Sequence, residues 1–123
     1  MSHPTKILTV DDSASMRALL LHALQAQGFE VVQAEDGIEA LEWLAANDAD
    51  IVITDINMPR LDGFGLIERL RSIARHRDRP ILVLTTESSD EKKARARQAG
   101  ATGWIVKPFD PEKLATAVRR VAH

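Results

Sequence analysis

The sequence predicts an α/β fold, a five-stranded parallel sheet with helices on both faces. Apolar runs of about five residues alternate with amphipathic stretches of about 10–15, the pattern of βα units. The runs at Ile7–Val10, Ile51–Thr54 and Ile81–Leu84 are nearly continuous in Val, Ile and Leu, as strands covered on both sides should be. Four runs then end on polar residues of differing chemistry, at the strand ends where an open parallel sheet forms its crevice.

Strands are expected at 6–10, 30–34, 50–54, 80–84 and 103–106. The second, Glu30-Val31-Val32-Gln33-Ala34, is mixed in polarity and belongs at an edge. Ser13 caps a first helix carrying Met16, Leu19, Leu20, Ala23 and Leu24, which Gly28 stops. Asp36 caps a second with Ile38, Leu41, Leu44 and Ala45 inward, and a third starts near Gly63 with Leu66, Ile67, Leu70 and Ile73. Ser88 with Glu91 reads as a capping box for the fourth helix, which Gly100 ends. Asp110 and Pro111 open the fifth, with Leu114, Ala117, Val118 and Val121 on one face. The fourth helix has only Ala94, Ala96 and Ala99 to bury between 89 and 99, so it should be the most weakly attached element.

The 123 residues suit one domain, 1–123, with a globular composition of 45% hydrophobic and 28% charged residues. A formal charge of −2 offers no basic field for nucleic acid or a membrane surface. No cysteine, no signal-peptide core in Met1–Lys6 and no apolar stretch near the roughly 20 residues of a membrane span together lead to the expectation of a cytoplasmic protein.

The polar strand ends are Asp11-Asp12, Asp55, Thr85 and Lys107. Neighbouring strands would bring them to one rim. Carboxylates about 4 Å apart in a partly screened site repel by about 4 kcal/mol per pair. Lys107 can neutralise one, and a hard divalent cation such as Mg²⁺ is the natural complement to the rest. Asp55 could then act as a nucleophile towards phosphorus, with Lys107 facing the developing charge, Thr85 donating a hydroxyl and Asp11 and Asp12 serving the metal.

Asp11-Asp12, Asp55-Ile56-Asn57-Met58-Pro59, Leu61-Asp62-Gly63, Thr85-Thr86 and Lys107-Pro108-Phe109 resemble the motifs of response-regulator receiver domains, in order and over essentially the whole chain. The resemblance implies a flavodoxin-like (βα)₅ three-layer sandwich with strand order 2-1-3-4-5. It implies Mg²⁺ held by Asp11, Asp12, Asp55 and the Asn57 main-chain carbonyl, a phosphoryl group accepted by Asp55 from a histidine kinase, and a cis Lys107-Pro108 bond. It pairs Thr85 with Trp104 as a switch, although tyrosine or phenylalanine is usual where Trp104 stands. It assigns Asn57 and Glu87 to tuning water access, with self-dephosphorylation over seconds to minutes.

The likeness is to short chemotaxis regulators of the CheY type. It implies a signalling switch, not an enzyme with a turnover substrate, expected as a monomer. Its helix 4–strand 5–helix 5 face would meet an output partner such as the flagellar motor switch. A phosphate sink and a phosphorelay intermediate are the alternative outputs. A haloacid-dehalogenase-type phosphatase would want an acid at position 57, which is Asn, and a flavodoxin's anionic phosphate would be repelled by Asp11-Asp12.

Other features read more plainly. Gly63-Phe64-Gly65 permits a turn into the third helix. His3, His22, His76 and His123 lack metal-ligand spacing, and Trp43 should be partly exposed. Arg69, Arg71, Arg75, Arg77 and Arg79 read as a solvated basic end of the third helix.

Overall fold

The computed structural model describes residues 4–122. Its strands are β1 (Lys6–Val10), β2 (Glu30–Ala34), β3 (Ile51–Thr54), β4 (Ile81–Thr85) and β5 (Gly103–Val106). All pair in parallel in the order β2-β1-β3-β4-β5, with β2 at an edge as expected. The third and fourth strands begin one residue later than the sequence reading, and β4 includes Thr85. Pro80 has no N–H to give a ladder, and the Asp50 carboxylate instead accepts the Lys6 N–H at 2.7 Å.

The helices are α1 (Ala14–Ala26), α2 (Gly37–Ala46), α3 (Gly63–Ser72), α4 (Asp90–Ala99) and α5 (Pro111–Val121). They divide between the two faces because alternate strand residues point opposite ways. Ile7, Ile51, Ile53, Leu82 and Leu84 pack with Leu20 and Leu24 of α1 and Leu114 and Val118 of α5. Leu8, Val10, Val52, Ile81 and Val83 pack with Leu44 of α2, Leu66, Ile67 and Leu70 of α3 and Ala96 of α4. No helix among the described residues is long and apolar enough to cross a membrane.

The caps at Ser13, Asp36 and Asp110 form as expected. The fourth does not. Ser89, not Ser88, caps α4, its hydroxyl accepting the Lys92 N–H at 3.2 Å. Asp90 and Glu91 hold the first two helical positions, where the helix dipole favours them. Lys92 then holds the third helical position, so no capping box forms. Gly100 ends α4 at a φ of 114°, a conformation that a Cβ would strain.

Burial departs from the helical stripes in places. Leu19 is 57% exposed and borders a groove lined by Met16, Pro108, Phe109 and Pro111. Ile73 lies beyond α3 as its C-cap and is also exposed. Trp43 is half-buried against the α2–α3 side of the core. Of α4, only Ala96 is buried, so this helix contributes the least to the core. Arg95 supplements that hold by stacking over the Phe64 ring at 4.0 Å.

The basic stretch after α3 is not simply solvated. The Arg71 guanidinium donates to the carbonyls of Gly100 at 2.9 Å, Arg77 at 2.9 Å and Arg79 at 2.6 Å, joining α3, the following loop and the end of α4. His76 is buried, and Arg79 donates to its Nδ1 while also pairing with Asp48. Five fixed donors on one planar group can satisfy several converging carbonyls, which lysine could not do.

Candidate functional site

The sheet ladder extends one residue past three strands and so sets the site. The Asp11 N–H donates to the Ala34 carbonyl at 3.1 Å, Asp55 N–H to Val10 at 2.9 Å and Lys107 N–H to Thr85 at 2.8 Å. Each apolar run thereby ends with a polar side chain at the same rim. Lys107 Nζ donates to Asp11 Oδ2 at 2.7 Å and to Asp55 Oδ2 at 2.9 Å. The other oxygens are also engaged: Asp11 Oδ1 accepts the Ser13 N–H at 2.9 Å, and Asp55 Oδ1 accepts the Ile56 N–H at 2.6 Å.

The Lys107 side chain is 8% exposed, so water screens these pairs weakly. Burial alone would pull its pKa down, but the bonds it donates to Asp11 and Asp55 outweigh that and leave it above the ordinary lysine value. The ammonium is therefore firmly charged at neutral pH.

Asp12 lies exposed at the rim, and oxygens of Asp11, Asp12 and Asp55 come within 4.8 Å of one another. Three carboxylates against one ammonium leave surplus negative charge, with oxygen donors of the kind that Mg²⁺ prefers. The donor set fits such an ion.

Thr85, Asn57, Glu87 and Trp104 form an adjoining chain of contacts. Buried Thr85 accepts the Glu87 N–H on its hydroxyl at 3.3 Å. The Glu87 carboxylate accepts from the Asn57 amide at 3.2 Å and from Lys92 at 2.9 Å. Lys92, then Asn57, hold the pKa of that carboxyl below its usual value. Trp104 pairs in register with Val83, and its indole N–H donates to the Glu87 carbonyl at 3.2 Å. The Lys107-Pro108 peptide is cis.

Gly63 has a reason other than turn formation. A Cβ there would run into the Asp55 carbonyl and Ile56 Cα, so the start of α3 can lie against the loop after β3 only with glycine. Gly63 N–H donates to the Ile56 carbonyl at 2.9 Å, closing that approach.

Two contributors escaped the sequence reading. Arg17 Nη1 donates to the Asp11 carbonyl at 2.7 Å, bracing the acidic loop from α1. Arg60 pairs with Asp36 on the far side of the loop after β3. Asp36 was recognisable as a cap, but no local pattern linked it to an arginine 24 residues later.

The fold and rim chemistry agree with the comparisons. The chain belongs to the response regulator receiver domain family, which matches residues 7–119. Within that family it is homologous to the CheY chemotaxis regulators. It is 43% identical over 111 residues to the chemotaxis protein CheY1 of Helicobacter pylori, covering 89% of this chain and 90% of that protein. It is 41% identical over 116 residues to the response regulator MprA of a Mycobacterium species, covering 94% of this chain but 50% of that protein. Among solved structures, Vibrio cholerae CheY4 superposes with a TM-score of 0.91 at 46% identity, over 96% of this chain and 98% of that one. The receiver domain of the sensor histidine kinase PA1611 from Pseudomonas aeruginosa, with magnesium coordinated in its active site cleft, superposes with a TM-score of 0.88 at 26% identity, over 95% of this chain and 96% of that one.

Proposed function

We propose that this chain is a response regulator of chemotaxis, phosphorylated on Asp55 by a histidine kinase in the cytoplasm and dependent on Mg²⁺. The observation that carries the reading is the Lys107 ammonium bridging Asp11 and Asp55 beside a third carboxylate. Likeness to CheY1 over nearly the full length of both proteins favours a chemotaxis role.

In the proposed reaction an Asp55 oxygen attacks the phosphorus of a phosphohistidine. A P–O bond forms, the P–N bond breaks, and the imidazole leaves with the electron pair and takes a proton. Asp11, Asp12, Asp55 and the Asn57 carbonyl would hold a magnesium ion, which would supply charge neutralisation at the phosphoryl oxygens. Lys107 transfers its hydrogen bond from the Asp55 carboxylate to the phosphoryl group, so its positive charge stays paired throughout. Thr85 turns its hydroxyl from the Glu87 N–H to another phosphoryl oxygen. That movement releases the loop before α4, and Trp104 follows, reshaping the α4–β5–α5 face for an output protein such as the flagellar motor switch. Asn57 and Glu87, already in contact, flank the path of the water that later hydrolyses the aspartyl phosphate over seconds to minutes.

Incubation with acetyl phosphate and Mg²⁺ tests this reading. One acid-labile phosphate per chain is expected, lost when Mg²⁺ is chelated beforehand or in Asp55→Asn. Labelling that survives in Asp55→Asn would refute the assignment. Phosphate-dependent binding to a motor-switch peptide is the expected output. Onward transfer to a second histidine protein would instead make the chain a relay, and neither activity would leave it a phosphate sink.

A further inference from the structure

The loop that carries Asp55 and Asn57 ends in a turn that its own backbone disfavours. Leu61 N–H donates to the Pro59 carbonyl at 2.7 Å, closing three residues around Arg60. The φ of Arg60 is 66°, the one positive value at a non-glycine residue among those described. A side chain there crowds its own backbone, and such a conformation lasts only where the surroundings impose it.

The start of α2 imposes it through two contacts. Arg60 Nε donates to Asp36 Oδ2 at 2.8 Å and Nη2 to Oδ1 at 3.0 Å, a forked pair of defined direction. One residue on, the Leu61 carbonyl accepts the Gly37 N–H at 3.2 Å. Asp36 is itself held, because it is 5% exposed and caps α2 by accepting the Glu39 N–H at 2.9 Å. The Arg60 fork also keeps the Asp36 carboxyl below the usual carboxylate range. The helix thus fixes the aspartate, and the aspartate aims the arginine.

Asn57 lies between two such anchors. On one side the Ile56 carbonyl accepts the Gly63 N–H. On the other, only Met58 and Pro59 separate it from the pinned Arg60.

We propose that Arg60 and Asp36 form a positioning pair for the cation site. By pinning the far end of the loop to α2, they hold the Asn57 main-chain carbonyl at the orientation from which it meets the divalent ion. The pair touches neither ion nor phosphate. Its role rests on the function proposed above, and it adds a determinant of metal affinity outside the acidic cluster.

Arg60→Gly separates positioning from stability, since glycine removes the fork and also relieves the positive φ. Mn²⁺, counted by the electron paramagnetic resonance of the free ion, serves as the oxygen-preferring probe. The variant is expected to keep or raise its urea midpoint while binding Mn²⁺ about tenfold more weakly, the low end of what changes outside the ligand shell cost. The Mg²⁺ concentration for half-maximal labelling by acetyl phosphate should rise by the same factor, with the saturated rate within about twofold of the parent. Arg60→Lys, which cannot fork, should lose Mn²⁺ affinity to a similar degree. Asp36→Asn, which keeps the cap, should also lose Mn²⁺ affinity. Equal Mn²⁺ affinity in the parent and Arg60→Gly overturns the pair's role and leaves the acidic site standing. A parent protein that binds no Mn²⁺ at millimolar concentration overturns the site itself, and the positioning role with it.

Discussion

The indole N–H of Trp104 donates to the main-chain carbonyl of Glu87 at 3.2 Å, tying β5 to the loop that leads into α4. Glu87 also donates its own N–H to Thr85 and accepts from Asn57 through its carboxylate. One residue thus links the hydroxyl at the end of β4, the loop after β3 and the aromatic ring on β5. A tryptophan carries a donor that phenylalanine lacks, so the ring here is tethered as well as packed.

That tether leads to a fluorescence prediction. Trp43→Phe leaves Trp104 as the sole tryptophan. Adding Mg²⁺ and a phosphoryl donor should then shift the Trp104 emission, because leaving the Glu87 carbonyl changes the polarity around the indole. Unchanged emission in fully phosphorylated protein would remove Trp104 from the switch. Trp104→Phe should cost about 1 kcal/mol for the lost bond, measured by urea unfolding.

The acidic rim should be a liability until a cation binds. Asp12 is exposed, yet its carboxylate adds to the repulsion between Asp11 and Asp55. In chelator, Asp12→Ala is expected to unfold at a higher temperature than the parent. With Mg²⁺ at ten times its dissociation constant, the parent should gain about 1.4 kcal/mol by linkage and the variant far less. Scanning calorimetry with and without Mg²⁺ measures both. Equal Mg²⁺ stabilisation of the two proteins would take Asp12 out of the metal's reach.

The rim was legible in the sequence because each member follows an apolar run directly. Asp55 and Lys107 need only the strand ends and parallel pairing to come together. The Ser88–Ser89 cap could not be resolved in the same way, since either serine can serve as an N-cap and the capping-box spacing of Ser88 and Glu91 favours the one the helix does not use. Arg71, Arg60 and His76 were illegible for another reason. Their partners lie on other elements or on carbonyls whose direction is set only when loops cross, and a run of arginines looks the same whether solvated or buried.

Arg71 provides a direct measure of that difference. Removing it orphans three carbonyls from two segments, while Arg69 is exposed at the end of α3. Arg71→Ala is expected to cost about 3 kcal/mol, in the range of hydrogen bonds to charged groups, and Arg69→Ala no more than about 0.5 kcal/mol. Equilibrium urea unfolding distinguishes them, and similar losses would mean that the guanidinium contacts contribute little.

His76 should make the fold acid-sensitive near neutrality. Its ring is 3% exposed, and Nδ1 accepts from Arg79 at 2.8 and 3.2 Å. Arginine has no acceptor, so that nitrogen must be unprotonated. Burial, then the charges of Arg79 and Arg75, push the His76 pKa below its ordinary value, while Asp48 and a bond to the Leu44 carbonyl oppose them in part. The unfolded chain, with a histidine pKa of about 6.5, therefore binds more protons than the folded one as the solution is acidified. Stability should fall as pH drops from about 6.5 towards the folded pKa, by at most about 1.4 kcal/mol per pH unit for this one proton, and should be insensitive to this group above that window. His76→Gln can still offer an oxygen to Arg79 but cannot gain the charge, so its urea midpoint should change less between pH 7.5 and pH 5.5, values chosen to bracket the histidine's ordinary pKa of about 6.5. Parallel losses in the two proteins would place the acid sensitivity elsewhere.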